Sequence, residues 1–333
     1  MRLVWGIRLA FFCLLAAAIA LTQVRPPWEA GKPRWYKGNL HTHTLNSDGD
    51  STPIEVATWY REHGNQFLAL TDHNHLTDVA ALNATLGAKE KFLLLPAEEL
   101  TDKYLTKPIH INALNLTREL QAQHGASVAD TIRRNIAHIR GAQALPSVNH
   151  PNFHWAITAR DMLGINGLTH FEVYNGHPTV NNYGGGGAPS LDRMWDELLT
   201  GGQRLYGISV DDAHIFKRTG QEYSNPGRGW VVVRSAELSA AAITDALARG
   251  DFYASSGLNL LDVQITPAAY RTEIDARDTE KFTTTVLGEG GKVLATTFDA
   301  IPEYKFTGAE KYVRARIDSS FGHSPWTQPV FRR

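Results

Sequence analysis

Between residues 39 and 214 the chain repeatedly places His, Asp or Glu at the C-terminal end of an apolar run. Asn39-Leu40 leads into His41-Thr42-His43, residues 67–70 into Asp72-His73, and residues 92–96 into Glu98-Glu99. Ile109 leads into His110, residues 144–148 into His150, and residues 205–210 into Asp212-Ala213-His214. Isolated histidines are ordinary core or surface residues, but a recurring strand-end placement constrains the fold. A barrel of parallel strands puts all its strand ends on one face, where residues distant in sequence converge. Such a convergence of nitrogen and oxygen donors is what a multinuclear metal hydrolase requires.

The connections agree with that architecture. Over residues 35–257 strand-like apolar runs alternate with helical patterns, as in βα units. Thr52-Pro53 with Glu55 gives an N-cap, a first-turn proline and a capping-box glutamate, and Gly64 closes the run. Ser127 caps a helix with Ile132, Ile136 and Ile139 on one face and Gly141 at its end. Residues 191–199 and 240–248 predict two more helices. Strands are predicted at 38–41, 67–71, 92–96, 109–114, 144–148, 170–174, 205–210 and 230–234, seven or eight parallel strands of a (β/α) barrel. From residue 258 the pattern changes to short alternating runs between Gly, Pro and Asp turns. It predicts a small antiparallel β domain, sandwich-like, over 258–333.

Residues 1–24 differ from the rest. Arg2 and Arg8 precede an apolar stretch ending in Ala18-Ile19-Ala20, the layout of a secretory signal peptide; the rival reading is an uncleaved N-terminal anchor. Either places the folded part outside the cytoplasm, secreted or periplasmic, with membrane contact only if the segment is uncleaved. Residues 25–34 read as a linker. The one cysteine, Cys13, falls inside the N-terminal segment, so any metal in the remainder is held by nitrogen and oxygen. With 33 basic against 34 acidic residues, no global field points to nucleic acid. The substrate expected is a small molecule, and the sequence does not give the oligomeric state.

Within the motifs, His41 and His43 point to one face of a strand and so can share an ion. Asp48 follows in Ser47-Asp48-Gly49-Asp50, where Gly49 permits a tight turn. The ordered set His41-Thr42-His43 with Ser47-Asp48-Gly49, Thr71-Asp72-His73, Pro96-Ala97-Glu98-Glu99, His110-Ile111-Asn112, Asn149-His150-Pro151 and Asp212-Ala213-His214 resembles the motifs of the PHP (polymerase and histidinol phosphatase) superfamily, over about residues 36–234. The stretch Tyr36 to His41, with Glu172 to Asn175, Asp211 to His214 and Gly229-Trp230, is similar to a secreted branch that includes carbamate-ester hydrolases. The resemblance implies an irregular (β/α)7 barrel, related to the TIM barrel, with a trinuclear centre at the strand ends. The ligands it implies are His41, His43, Asp48, His73, Glu99, His110, His150, Asp212 and His214. Two to three divalent ions are expected, and Zn, Mn and Fe all suit such donors.

Motif spacing selects Glu99 over Glu98, and Asp212 over Asp211 through its pairing with His214. Asp72 is expected to orient a ligand rather than bind metal. Glu172 and Asn175 are candidates to hold solvent or substrate, and His214 or His177 to assist as general acid. His63, His124, His138 and His323 read as ordinary surface histidines, and His75 and His154 as secondary candidates. The resemblance implies first a phosphoesterase using metal-bound hydroxide, with Lys107, Arg218 and Arg228 as candidate partners of phosphate oxygens. A carbamate or carboxylic ester hydrolase is the second reading, with Trp155, Tyr174 and Trp195 as an aromatic wall. A non-catalytic secreted metal-binding module is the third.

Overall fold

Most of the predicted strands come together in one large mixed sheet, in a computed structural model that describes residues 33–86, 92–276 and 279–332. The N-terminal segment with Cys13, and most of the linker, lie outside the described residues. Among the described residues no helix is long and apolar enough to cross a membrane.

The order along the chain is β1 (Arg34–Asn39), α1 (Pro53–Glu62), β2 (Phe67–Leu70), α2 (Val79–Leu86), β3 (Leu93–Tyr104), β4 (Lys107–Leu114), α3 (Val128–Gly141) and β5 (Leu145–Val148). There follow α4 (Ala159–Met162), β6 (His170–Asn175), α5 (Leu191–Thr200), β7 (Tyr206–Val210), β8 (Trp230–Ser235), α6 (Ala240–Arg249) and β9 (Phe252–Ser255). The last part holds β10 (Leu260–Ile265), β11 (Ala269–Ile274), β12 (Phe282–Gly288), β13 (Lys292–Thr297), β14 (Glu303–Lys305), β15 (Tyr312–Ser319), β16 (Pro325–Thr327) and β17 (Val330–Phe331).

The sheet runs β13-β12-β15-β16-β9-β8-β1-β2-β3-β4-β5-β6-β7. The pairs β1–β2, β2–β3, β5–β6 and β6–β7 are parallel, as expected. The pairs β3–β4, β4–β5 and β1–β8 are antiparallel, which corrects the expectation of an all-parallel set. The cause is local. Only Leu105 and Thr106 separate β3 from β4, too few residues for a parallel crossover, so the chain makes a hairpin. The ladder is also open. Beyond β1 and β7 the two chains meet at a single bridge between Thr42 and Ala213. There the His43 N–H donates to Ala213 O (2.9 Å) and the Asp212 N–H to His41 O (3.0 Å). That junction lies among the candidate donors, so the fold comes closest to closure where the site sits.

Burial follows the strand period. Phe67 and Ala69 join the interior cluster with Leu95, Ile208 and Val231, whereas Leu68 and Leu70 pack with Val56, Tyr60 and Val79 beneath α1 and α2. Both faces of β2 are therefore buried, as parallel strands covered by helices require. The capping box at Thr52 and Glu55 forms, and Ser127 accepts from the Asp130 N–H. At α6 the Ser239 hydroxyl accepts from the Ala242 N–H (3.2 Å), and Gly250 ends the helix at φ +75°. Ser239→Ala is expected to cost about 1 kcal/mol, read as a lower urea midpoint at unchanged slope.

The antiparallel strands beyond residue 258 form, and they do more than pack alongside. Strands β12, β13, β15 and β16 extend the large sheet through β9, while β10, β11 and β14 make a separate three-stranded sheet. Trp230, Val232 and Tyr253 share one core with Val263, Tyr270 and Ile317.

Candidate metal centre

The strand ends bring all nine of the residues implied as ligands into four overlapping groups: His43, Asp48, His73 and His214; His41, His43 and Asp212; His41, Glu99 and His150; His73, Glu99 and His110. Within each group the donor atoms lie within 4.8 Å of one another. Asp212 Oδ1 is 3.2 Å from His41 Nε2 and 3.2 Å from His43 Nε2. Glu99 Oε1 is 3.4 Å from His41 Nε2, 3.4 Å from His150 Nε2 and 3.1 Å from His110 Nδ1. Asp48 spans the outer side, 3.4 Å from His214 Nε2 and 3.5 Å from His73 Nε2.

Several local devices aim these groups. His41 and His43 continue the line of β1 and share its inward face. A Cβ on Gly49 would stand 2.7 Å from the His43 carbonyl carbon, so only glycine lets the Asp48 turn close on His43. His150 (φ +26°) and Asp212 (φ +51°) both hold positive φ without being glycine, strain of the kind that persists where surroundings fix a side chain for function. Asp72 takes hydrogen bonds from the Thr44 N–H (2.7 Å), Ser47 Oγ (2.9 Å) and Thr77 Oγ1 (2.9 Å). It touches no donor group directly and reaches His43 Nδ1 only through Ser47 Oγ (3.3 Å).

Glu172 and Asn175 lie directly behind the donors. Glu172 Oε1 is 2.6 Å from His41 Nδ1, and Oε2 accepts from the His150 N–H (2.7 Å) and Asn175 Nδ2 (2.8 Å). Asn175 Nδ2 also reaches Asp212 Oδ2 (3.1 Å). Two residues that appear above only as members of motifs, with no role given, belong here. Asn149 donates to Glu99 Oε1 (2.7 Å) and to Asn112 Oδ1 (2.8 Å). Asn112 stands two residues from His110 on β4, on the same strand face, and that spacing was the available signal.

The donor set fits divalent cations. His41 Nε2 and His43 Nε2 face each other at 3.1 Å with a carboxylate oxygen beside both. At most one proton can sit between two such nitrogens. Ligands bound about 2.0–2.2 Å from one ion are themselves separated by little more than about 3 Å, which is the spacing seen here. Buried Glu99 Oε2 lies 2.7 Å from His73 Nδ1, which is also 2.6 Å from Thr101 Oγ1. A carboxylate buried this fully among imidazoles calls for positive charge.

The electrostatics agree. Burial opposes charge on His41, but Asp212, Glu99 and Glu172 outweigh it and hold its pKa well above the ordinary value. Burial and His214 drive His43 the other way, to about 4. Burial likewise opposes charge on Glu99 and Asp212, yet the surrounding imidazoles keep both well below the usual carboxylate range.

The remaining candidates divide. Glu98 faces away, its Oε1 accepting from the Leu120 N–H (2.9 Å), and burial pushes its pKa to about 7. Asp211 accepts from Tyr60 Oη (2.8 Å) and from the Gly227, Arg228 and Gly229 N–H groups, so it builds the loop behind the site. His177 is in no donor group; its ring lies 5.4 Å from that of His214. Arg228 lines a cavity of about 280 Å³ with Asn175 and His177, donating to Gly176 O (3.1 Å) and Gly220 O (2.8 Å). Tyr174 lines the same cavity and stacks on Trp326. Trp155 is partly exposed. Trp195 does not form an aromatic wall: it is fully buried, and its Nε1 donates to Leu205 O (3.0 Å). Lys107 stands in the β3–β4 hairpin and Arg218 lies over Tyr223, neither within a donor group. His75 pairs with Glu119 and His63 stacks on Trp59, so both are accounted for away from the centre.

No family model matches the sequence, and no curated protein is similar to it. Among solved structures, the chain is similar to a two-domain protein of Bacteroides vulgatus containing a predicted PHP-like metal-dependent phosphoesterase, at 15% identity over 86% of this chain and 90% of the other, with a TM-score of 0.49. It is also similar to an amidohydrolase of Chromobacterium violaceum, at 18% identity over 56% of this chain and 90% of the other, with a TM-score of 0.39. Likeness this distant carries no inference about activity, which rests on the donors themselves.

Proposed function

We propose that the protein is a metal-dependent hydrolase of the PHP type, acting on a phosphoester of a small molecule, with two to three divalent ions (Zn, Mn or Fe) held by the nine clustered residues. The observation that carries this reading is the sharing of donors. His41, His43, His73 and Glu99 each belong to two of the four groups, so adjacent ions would have ligands in common. When bound, such ions polarise a phosphoryl group, lower the pKa of water and steady the leaving oxygen.

The chain's own residues do the positioning. Glu172 fixes the His41 tautomer by accepting a hydrogen bond from Nδ1–H, which leaves Nε2 free to hold an ion. Asn149 and Asn175 hold Glu99 and Asp212 against rotation. His177 Nδ1 accepts from the Thr179 N–H (3.3 Å), so the neutral ring carries its proton on Nε2, as the role of general acid requires. In the overall step a water oxygen bonds to phosphorus and gives up a proton, the phosphorus–oxygen bond to the alcohol breaks, and the departing oxygen gains a proton, so that water is split between phosphate and alcohol.

Arg228 favours a phosphoester over a carbamate. Arg228 lines the cavity beside Asn175 and His177, and among the described residues no carboxylate pairs with its guanidinium, a setting that matches an anion better than a neutral ester. The burial of Trp195 removes part of the aromatic wall an aryl carbamate would use. The test is hydrolysis of p-nitrophenyl phosphate, bis-p-nitrophenyl phosphate and an aryl N-methylcarbamate by protein supplied with zinc or manganese. Turnover of a phosphate ester is expected; turnover of the carbamate alone would overturn the reading.

Glu172→Ala is expected to weaken metal affinity about 10–100-fold, measured by competition with a chromogenic chelator, with the fold retained.

A further inference from the structure

Two backbone outliers, neither of them in a donor group, meet at one cavity beside the candidate metal centre. Leu105 is the first of the two residues linking β3 to β4 and holds φ +54°, where glycine is at home, with 78% of its surface exposed. His124, in the segment before α3, holds φ +45° with its side chain also 78% exposed. A bulky residue in this region costs about as much as a lost hydrogen bond, and neither side chain offsets that cost by burial.

Each is nevertheless held in place. The Leu105 turn is fixed by the Tyr104–Lys107 pair that closes the hairpin. His124 is fastened twice to the buried carboxylate of Asp102, its N–H to Oδ2 (3.0 Å) and its Nδ1 to Oδ1 (2.7 Å). Asp102 also takes hydrogen bonds from Asn135 Nδ2 (2.8 Å) and the Lys103 N–H (2.7 Å). With Nδ1 committed to Asp102, Nε2 is the nitrogen left to meet a ligand.

Leu105 and His124 line a single cavity of about 620 Å³ whose other walls include Pro108, Thr101 and His110. The last two join it to the metal centre: His110 belongs to a donor group, and Thr101 Oγ1 is 2.6 Å from His73 Nδ1. A cavity of this size holds a drug-sized organic group. The geometry points to this cavity as the leaving-group subsite of the hydrolase, taking an alcohol whose apolar body packs on Leu105 and Pro108 and whose polar atom bonds His124 Nε2. This inference rests on the phosphoester reading for the reaction, but the subsite itself can be tested apart from it.

The test uses 1-naphthol as product mimic and two esters, 1-naphthyl phosphate and glycerol 2-phosphate. Fluorescence titration of chelator-stripped protein is expected to show saturable 1-naphthol binding. Leu105→Gly is expected to weaken that binding about tenfold, the effect of losing one leucine contact. In zinc-supplied protein it should cut the ratio of kcat/KM for the naphthyl ester over the glycerol ester by a similar factor. The same variant should unfold at a higher temperature, because glycine relieves the strained φ, and bind the same amount of zinc. His124→Gln should weaken 1-naphthol binding with unchanged zinc content. Failure of the wild-type protein to bind 1-naphthol, or equal binding by wild type and Leu105→Gly, would overturn the subsite. Binding that behaves as expected in a protein that hydrolyses neither ester would support the subsite and overturn the phosphoesterase reading instead.

Discussion

Replacing Asp212 by alanine is expected to remove at least one bound metal equivalent and to lower kcat/KM by about a thousandfold, the several kcal/mol that a metal contributes to a phosphoryl transition state. Its Oδ1 lies 3.2 Å from both His41 and His43, so one carboxylate oxygen serves two imidazoles. No neighbour can take its place, because Asp211 is occupied by Tyr60 and three N–H groups. Alanine is poorly suited to φ +51°, so Asp212→Asn is the companion variant; asparagine tolerates that backbone but supplies no charge. His41→Ala should behave in the same way. Metal analysis of gel-filtered protein and steady-state kinetics measure both effects. A variant that retains full metal content would show that its residue is not a ligand.

The largest expected loss of stability lies far from the site. Arg314 on β15 is fully buried and donates from NH2 to Asp196 Oδ2 (2.7 Å), from Nε to Asp196 Oδ1 (2.8 Å) and from NH1 to Asp192 Oδ1 (2.9 Å). Both carboxylates belong to α5, and Arg316 adds a further contact to Asp192 (3.0 Å). This cluster fastens the late antiparallel strands to a helix of the earlier βα region. Removing Arg314 leaves Asp196 charged and buried, while half-buried Asp192 keeps Arg316. Arg314→Met is therefore expected to cost about 3–5 kcal/mol in urea unfolding. A triple variant with apolar residues at Asp192, Asp196 and Arg314 should recover most of that loss, since a well-packed apolar replacement avoids the stranded charges. An Arg314→Met protein as stable as the wild type would contradict the assignment.

The donors were legible in the sequence because a strand end is a local feature. His41, His110, His150 and Asp212 each follow an apolar run, and run and ligand type are visible together. The helix starts at Thr52 and Ser127 were legible for the same reason, since the cap and the N–H it accepts from are three residues apart. Strand direction was not legible. The strand expected at residues 92–96 continues as β3 through the largely polar residues 98–104, where Glu98 and Asp102 find buried partners in Leu120 and Asn135. Trp195 was misread because an aromatic residue on a helix looks the same in sequence whether it faces a pocket or a core. His124 reads as an ordinary surface histidine in sequence; its tie to Asp102, 22 residues away, becomes visible only in three dimensions.

The most direct test of the central claim is anomalous X-ray scattering from crystals grown with zinc. Two or three peaks are expected within the cluster, each about 2.0–2.2 Å from nitrogen or oxygen atoms of the nine residues, with Glu99 or Asp212 touching more than one ion. Absence of any peak among His41, Glu99, His150 and Asp212 under saturating zinc would contradict the account.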